Sequence, residues 1–241
     1  AVSSFVSQLI ESIETPISLG KEVLRVSCSV GISFFPDDAT DPAELLKQAD
    51  VAMYTAKKNT LSAFIYYTKE MNERAIERLA LENRVKSAYE EEVFENYYQP
   101  IVNLTTGKTE GVELLLRCHF NNEWISPAAF IPVLEELRHI IELTRKATDT
   151  AINDLQQWYA EGYTGYVSIN LSALHFKTHF DLDYIEERLT EAGLPRTALR
   201  FEITEGVLID KSDEVLLELK RIRDAGFKLA LDDFGTGYSS L

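Results

Sequence analysis

Apolar residues recur along this chain with two different periods, and the places where the period changes divide it. Near the start, Phe5, Val6, Leu9, Ile10 and Ile13 fall at helical spacing, which predicts the tail of an amphipathic helix ending near Ile13. From Val23 to Phe35 the apolar positions alternate or run together, predicting a hairpin or strand pair that Pro36-Asp37-Asp38 stops. A helix then opens at Asp41-Pro42, with Asp as N-cap, Pro in the first turn and Glu44 beside it; Leu45, Leu46, Ala49, Ala52, Met53 and Ala56 line one face. Phe64 to Tyr67 reads as a short closing strand. This block is α+β and carries no catalytic cluster. Between Thr68 and Glu92 there is neither Gly nor Pro, and Met71, Ala75, Ile76, Leu79, Val85, Ala88 and Tyr89 form a stripe among charges. That pattern predicts one connecting helix.

Beyond Phe94 strand and helix patterns alternate. Strands are predicted at Tyr97–Leu104, Thr109–Cys118, Tyr166–Leu171, Leu199–Thr204 and Lys228–Leu231, and helices from Pro127, over Ile140–Trp158, Leu182–Ala192 and Val215–Ala225. Gly193 and Gly226 end the last two helices. Regular alternation with short connections implies a parallel sheet with helices outside it, and polar residues recurring at strand ends favour a (β/α) barrel. The expected organisation is a partial α+β block over 1–67, a connecting helix over 68–92 and an incomplete (β/α) barrel over 93–241, since such a barrel typically needs about 250 residues.

Composition narrows the function. The chain has 241 residues, a net charge of −15 and a pI near 4.7, which argues against a non-specific binder of nucleic acid or anionic membrane, since like charges repel at long range. An anionic ligand would need local cations, either a metal or arginine. The two cysteines, Cys28 and Cys118, have neither metal-knuckle spacing nor disulfide density and point to a reducing compartment such as the cytoplasm. No apolar run reaches the roughly 18–20 residues of a membrane span, so this segment is expected to make no membrane contact. The first residue is Ala1 rather than Met and the text begins inside a helix pattern, so both ends are expected to be cut.

The chemistry gathers at strand ends. Glu113, Asn170, Glu202 with Glu205, and the adjacent Asp232-Asp233 lie near the C-terminal ends of successive predicted strands. A lone Asp pair there could cap a helix; with the other acids it reads as a cation site. Oxygen donors without His or Cys select Mg²⁺, Mn²⁺ or Ca²⁺ over zinc. This many acids can hold two ions, the usual arrangement for acting on a phosphodiester. His175 and His179, four apart, are expected as surface residues, His119 and His139 have no partner pattern, and Glu90-Glu91-Glu92 reads as a solvated run.

Two resemblances follow from particular motifs. Ser29-Val30-Gly31-Ile32-Ser33, Pro36, Leu45-Leu46, Ala49-Asp50, Ala52-Met53-Tyr54 and Ala56-Lys57 resemble the C-terminal half of a GGDEF domain, the family that makes cyclic di-GMP from GTP. Lys57 matches a phosphate-contacting lysine of that family, but Leu61 stands where its arginine belongs, and an apolar side chain cannot replace a guanidinium fork. The resemblance therefore implies a degenerate, regulatory GGDEF part.

The second stretch is similar to an EAL domain. It carries Tyr98-Gln99-Pro100-Ile101-Val102, Gly111-Val112-Glu113-Leu114-Leu115-Leu116-Arg117, Ile125-Ser126-Pro127, Ser168-Ile169-Asn170-Leu171-Ser172, Glu202-Ile203-Thr204-Glu205 and Asp232-Asp233-Phe234-Gly235-Thr236-Gly237 in consecutive order. That family has a TIM-like barrel and hydrolyses cyclic di-GMP to linear pGpG with two divalent cations. The resemblance implies that Glu113, Asn170, Glu202 and Asp232 hold one Mg²⁺ or Mn²⁺ and that Asp233 helps hold the second. It places Glu113, Glu205 and Asp233 in the catalytic set, with Glu205 supporting the ligand shell. Arg117 would contact substrate phosphate and Gln99 would lie on the substrate face. Phe234 and Gly235 would belong to a loop that couples substrate binding to metal assembly. Leu114 replaces the family's Ala and should point away from the metal, because side chains alternate on a strand. The family's catalytic lysine has no counterpart in the sequence, so little or no hydrolysis is expected of the chain as given. The alternative is a non-catalytic cyclic di-GMP receptor, and a homodimer is an open expectation.

Overall fold

The computed structural model describes residues 2–20, 22–58, 63–178, 180–209 and 212–232. The chain divides into two compact units, Ala1–Ala80 and Leu81–Leu241.

In the first unit, helix α1 (Val2–Glu14) is followed by strands β1 (Ile17–Leu19) and β2 (Glu22–Leu24), then β3 (Val30–Ile32), helix α2 (Pro42–Lys58), β4 (Phe64–Tyr66) and the start of α3 (Lys69–Glu90). Asp41 caps α2 as its position implied, its Oδ2 accepting the Glu44 N–H at 3.0 Å. The expected strand pairing is corrected. The antiparallel hairpin is β1 with β2, earlier than expected, whereas β3 pairs in parallel with β4 across the intervening helix. Gly31 on β3 explains how closely α2 can lie on this pair: a Cβ there would collide with the backbone of Ala49 and Met53.

The second unit contains the rest of α3, then β5 (Phe94–Val102), β6 (Thr109–Phe120), β7 (Glu123–Ile125), α4 (Pro127–Glu136), α5 (Ile140–Ala160), β8 (Tyr166–Leu171), α6 (Ala173–Lys177), α7 (Leu182–Glu191), β9 (Leu199–Thr204), α8 (Glu205–Ile209), α9 (Asp213–Asp224) and β10 (Lys228–Asp232). Among the described residues the strands form one six-stranded sheet in the order β10-β9-β8-β6-β5, with β7 paired to β6. The β6-β8-β9-β10 run is parallel, as the helix-strand alternation implied. The hairpin β5-β6 is antiparallel, a departure from an all-parallel sheet. A connection through Thr106-Gly107 is too short for the crossover that parallel pairing needs.

The core lies on the helix side of the sheet. Val167, Ile169 and Leu171 of β8 and Leu199, Phe201 and Ile203 of β9 pack into one cluster with Ala151, Ile152 and Leu155 of α5, Ile185 and Leu189 of α7, and Ile222 of α9. Phe201 stands between two rings, Phe180 at 5.2 Å and Phe227 at 5.4 Å, and is fully buried, which is worth about 1.5–3 kcal/mol relative to exposure. A second cluster joins Val85 and Ala88 of α3 to Cys118, Ile125, Phe130 and Leu143. The alternate positions of β8 and β9 face away from these cores.

Candidate metal centre

Strand register assembles the site. Glu113 on β6 lies level with Ser168 on β8, Asn170 on β8 with Glu202 on β9, and Glu202 with Ala230 on β10, one pleat before Asp232. Residues level with one another, and residues two apart on one strand, share a face. Glu113, Ser168, Asn170, Glu202 and Asp232 therefore stand together opposite the core. Gln99 joins that face through its pairing with Glu113 and is exposed. One expectation needs correction: Glu113 is not at a strand tip but well inside β6, which runs on past β8 to pair with β7. It marks the end of the parallel portion only, since pairing with β8 stops at Leu114–Ile169.

Carboxylate oxygens of Glu113, Glu202 and Asp232 lie within 4.8 Å of one another. Asn170 donates from Nδ2 to Glu113 Oε1 at 2.8 Å, and Ser168 Oγ donates to Glu202 Oε1 at 2.5 Å. Burial pushes the Glu202 carboxyl above its ordinary pKa; the neighbouring charges of Glu113 and Asp232 push the same way, against the Ser168 hydrogen bond and Arg200. Three acids so close repel unless one takes a proton or a cation sits among them. With only oxygen donors, the set fits a hard divalent cation.

Other expected residues fall at varying distances from this cluster. Arg117 lies on the Glu113 face of β6, its Nη1 donating to the Leu116 carbonyl at 3.0 Å and its guanidinium 5.7 Å from the Tyr97 ring centre. Arg117, Asn170, Thr204 and Asp232 line a cavity of about 240 Å³ together with Glu135 and Ser172. Glu205 is buried as the first residue of α8, outside the three-acid cluster. Leu114 points into the helix-side core and is buried, as its place on the strand implied. Lys57 is exposed on α2 of the first unit. Asp233, Phe234, Gly235, Leu61 and His179 lie outside the described residues.

His175 corrects an expectation of exposure: it is 2% exposed, because α6 turns it inward against Phe180. Its Nδ1 meets the Ser172 carbonyl at 3.1 Å, and burial holds it neutral, its pKa down at about 4. The residue that sequence reading missed is Ser168. Its position two before Asn170, on the same strand face, was the available signal.

A family model described as "EAL domain" matches residues 82–241, and one described as "Diguanylate cyclase, GGDEF domain" matches residues 1–62. The chain belongs to the EAL domain family. The sheet of the second unit is part of a TIM-like barrel, preceded by a partial GGDEF domain. Signaling protein YkoW of Bacillus subtilis is 32% identical over 97% of the chain, and the match covers 29% of that protein. The bifunctional diguanylate cyclase/cyclic di-GMP phosphodiesterase MucR of Pseudomonas aeruginosa is 32% identical over 99% of the chain and 35% of its own length. Cyclic di-GMP phosphodiesterase PdeR of Escherichia coli is 30% identical over all of the chain and 36% of its own. The chain thus spans about a third of the length of these relatives. Among solved structures, the PaMucR phosphodiesterase in complex with c-di-GMP superposes with a TM-score of 0.61 at 31% identity, over 67% of this chain and 66% of that one. The EAL enzyme Bd1971, bound to cAMP and cyclic di-GMP, gives 0.64 at 26% identity, over 84% and 54%.

Proposed function

We propose that this chain supplies the metal-holding wall of a cyclic di-GMP phosphodiesterase that opens the ring to linear pGpG. The observation that carries the reading is the approach of Glu113, Glu202 and Asp232 within 4.8 Å on a face that also presents Asn170. On this reading Glu113, Asn170, Glu202 and Asp232 hold one Mg²⁺ or Mn²⁺ and Asp233 contributes to a second. When bound, such ions neutralise phosphodiester charge and acidify the attacking water.

The remaining roles belong to the chain's own side chains. Arg117, tethered to the Leu116 carbonyl and held over Tyr97, directs its other N–H groups to a substrate phosphate. Gln99, Phe234 and Gly235 line the substrate face, and Glu205 supports the acids from the start of α8. Residues 1–67 act as a regulatory GGDEF remnant, 68–92 as the connecting helix and 93–241 as the barrel part. The exposed Ile76 and Leu79 of α3 offer a surface for a second copy, which the mass in solution would reveal. We place this segment in the cytoplasm, where its two free cysteines stay reduced, with cyclic di-GMP as its partner; an upstream membrane anchor in the parent protein is compatible with that placement.

The test incubates a full-length protein that contains this chain with cyclic di-GMP and Mn²⁺ and follows pGpG by chromatography. Glu113→Gln should reduce turnover by more than about 100-fold, beyond what loss of a group merely supporting a metal ligand causes. Tight binding without turnover, unaffected by a chelator, would replace this reading with the receptor alternative.

A further inference from the structure

Ser168 stands apart from the other polar groups of the acidic face. It is fully buried, and its hydroxyl makes one short bond, to Oε1 of Glu202 at 2.5 Å. It lies on the neighbouring strand, one pleat before Asn170, which is level with Glu202. A buried hydroxyl needs a partner, yet an apolar residue would have filled the position as readily. What the hydroxyl adds is a constraint on a carboxylate: Oε1 is engaged, the rotation of the group is fixed, and Oε2 is the oxygen that Ser168 leaves alone. Glu113 is treated alike, with its Oε1 engaged by Asn170. Two of the three clustered acids are thus each tied at one oxygen.

This matters because hard cations differ in how they use carboxylates. Ca²⁺ takes six to eight oxygens and readily chelates both oxygens of one acid, whereas Mg²⁺ and ions of similar size demand six ligands in near-octahedral order, one oxygen each. We propose that Ser168 is a positioning residue that makes Glu202 a one-oxygen ligand and so biases the centre against Ca²⁺ and toward small six-coordinate ions. The inference rests on the reading of Glu113, Glu202 and Asp232 as a cation site and adds the residue that sets its selectivity.

The test measures ion binding rather than turnover. Mn²⁺ binding to the 241-residue chain is followed by electron paramagnetic resonance, with Ca²⁺ as competitor, in the wild type, Ser168→Ala, Ser168→Thr and Glu202→Gln. Ser168→Ala should shift the ratio of Ca²⁺ to Mn²⁺ affinity about tenfold toward Ca²⁺, the size expected for a lost hydrogen bond to a charged group. Ser168→Thr, which keeps the hydroxyl, should hold the wild-type ratio. A purely structural role would weaken both ions together and leave the ratio unchanged, and that result overturns the proposal. Should Ser168→Ala not fold, Ser168→Cys, with its weaker donor, replaces it and should shift the ratio in the same direction. Mn²⁺ binding that is absent in the wild type, or intact in Glu202→Gln, would instead overturn the cation site itself.

Discussion

On the helix side of β8 and β9, Val167, Ile169, Phe201 and Ile203 are between 0% and 4% exposed. On the opposite side the same two strands present Ser168, Asn170 and Glu202, whose polar atoms bond to one another and to Glu113. The sequence alternates one residue at a time between these roles, so two neighbours in the chain can serve unrelated ends. The helix-side residues carry stability through apolar burial. The acidic face is, without a cation, a source of strain: three carboxylates repel, and Glu202 is pushed toward its neutral form by burial and by its neighbours' charge. Changes on the two faces should therefore have separable effects.

The largest separation is expected at Leu114, adjacent to Glu113 but buried among core residues. Leu114→Ala, which restores the family's residue, should cost about 3–4 kcal/mol in urea denaturation through the cavity it leaves. It should leave Mn²⁺ affinity within about twofold, a factor worth well under 1 kcal/mol. A matching loss of metal affinity would show that the faces are coupled.

Next comes acid. His175 is neutral in the folded helical layer, with a pKa near 4, but takes up a proton near 6.5 once unfolded. Between those values only the unfolded chain gains the proton, so stability is full above pH 6.5 and declines as pH falls toward 4. Between pH 7 and 4.5 the decline should amount to about 2.4 kcal/mol, and it should be missing from His175→Gln when the two are denatured in urea at those pH values. Equal declines in both proteins would assign the acid sensitivity to the carboxylates instead.

The smallest effect belongs to Glu202→Gln. Removing its charge should stabilise the ion-free protein by at most about 1 kcal/mol, since solvent screens a partly exposed carboxylate. The same change should abolish any rise in melting temperature on adding Mn²⁺. A variant less stable than the wild type in chelator would mean that the acids are not in conflict.

How far the sequence reveals this arrangement depends on how local each determinant is. The alternation in Tyr166–Leu171 and the caps and glycines around the helices define β8, β9 and the main helices almost to the residue. β7, α6 and α8 have three or five residues, too few for a period to register. The ligand acids are legible because an acid interrupting an apolar strand is conspicuous. Ser168 is not, since its role depends on the register between two strands 34 residues apart in sequence. The burial of His175 likewise depends on how α6 packs, which no neighbouring residue declares.

The position of Glu113 inside β6 has a further consequence for how the centre holds its shape. At that residue β6 is hydrogen-bonded to a strand on each side, β5 and β8. Glu113 is therefore carried on backbone that ladders hold from both sides, which opens only with the sheet itself. For any ion held on this face, Glu113 is the fixed jaw against which the other ligands close.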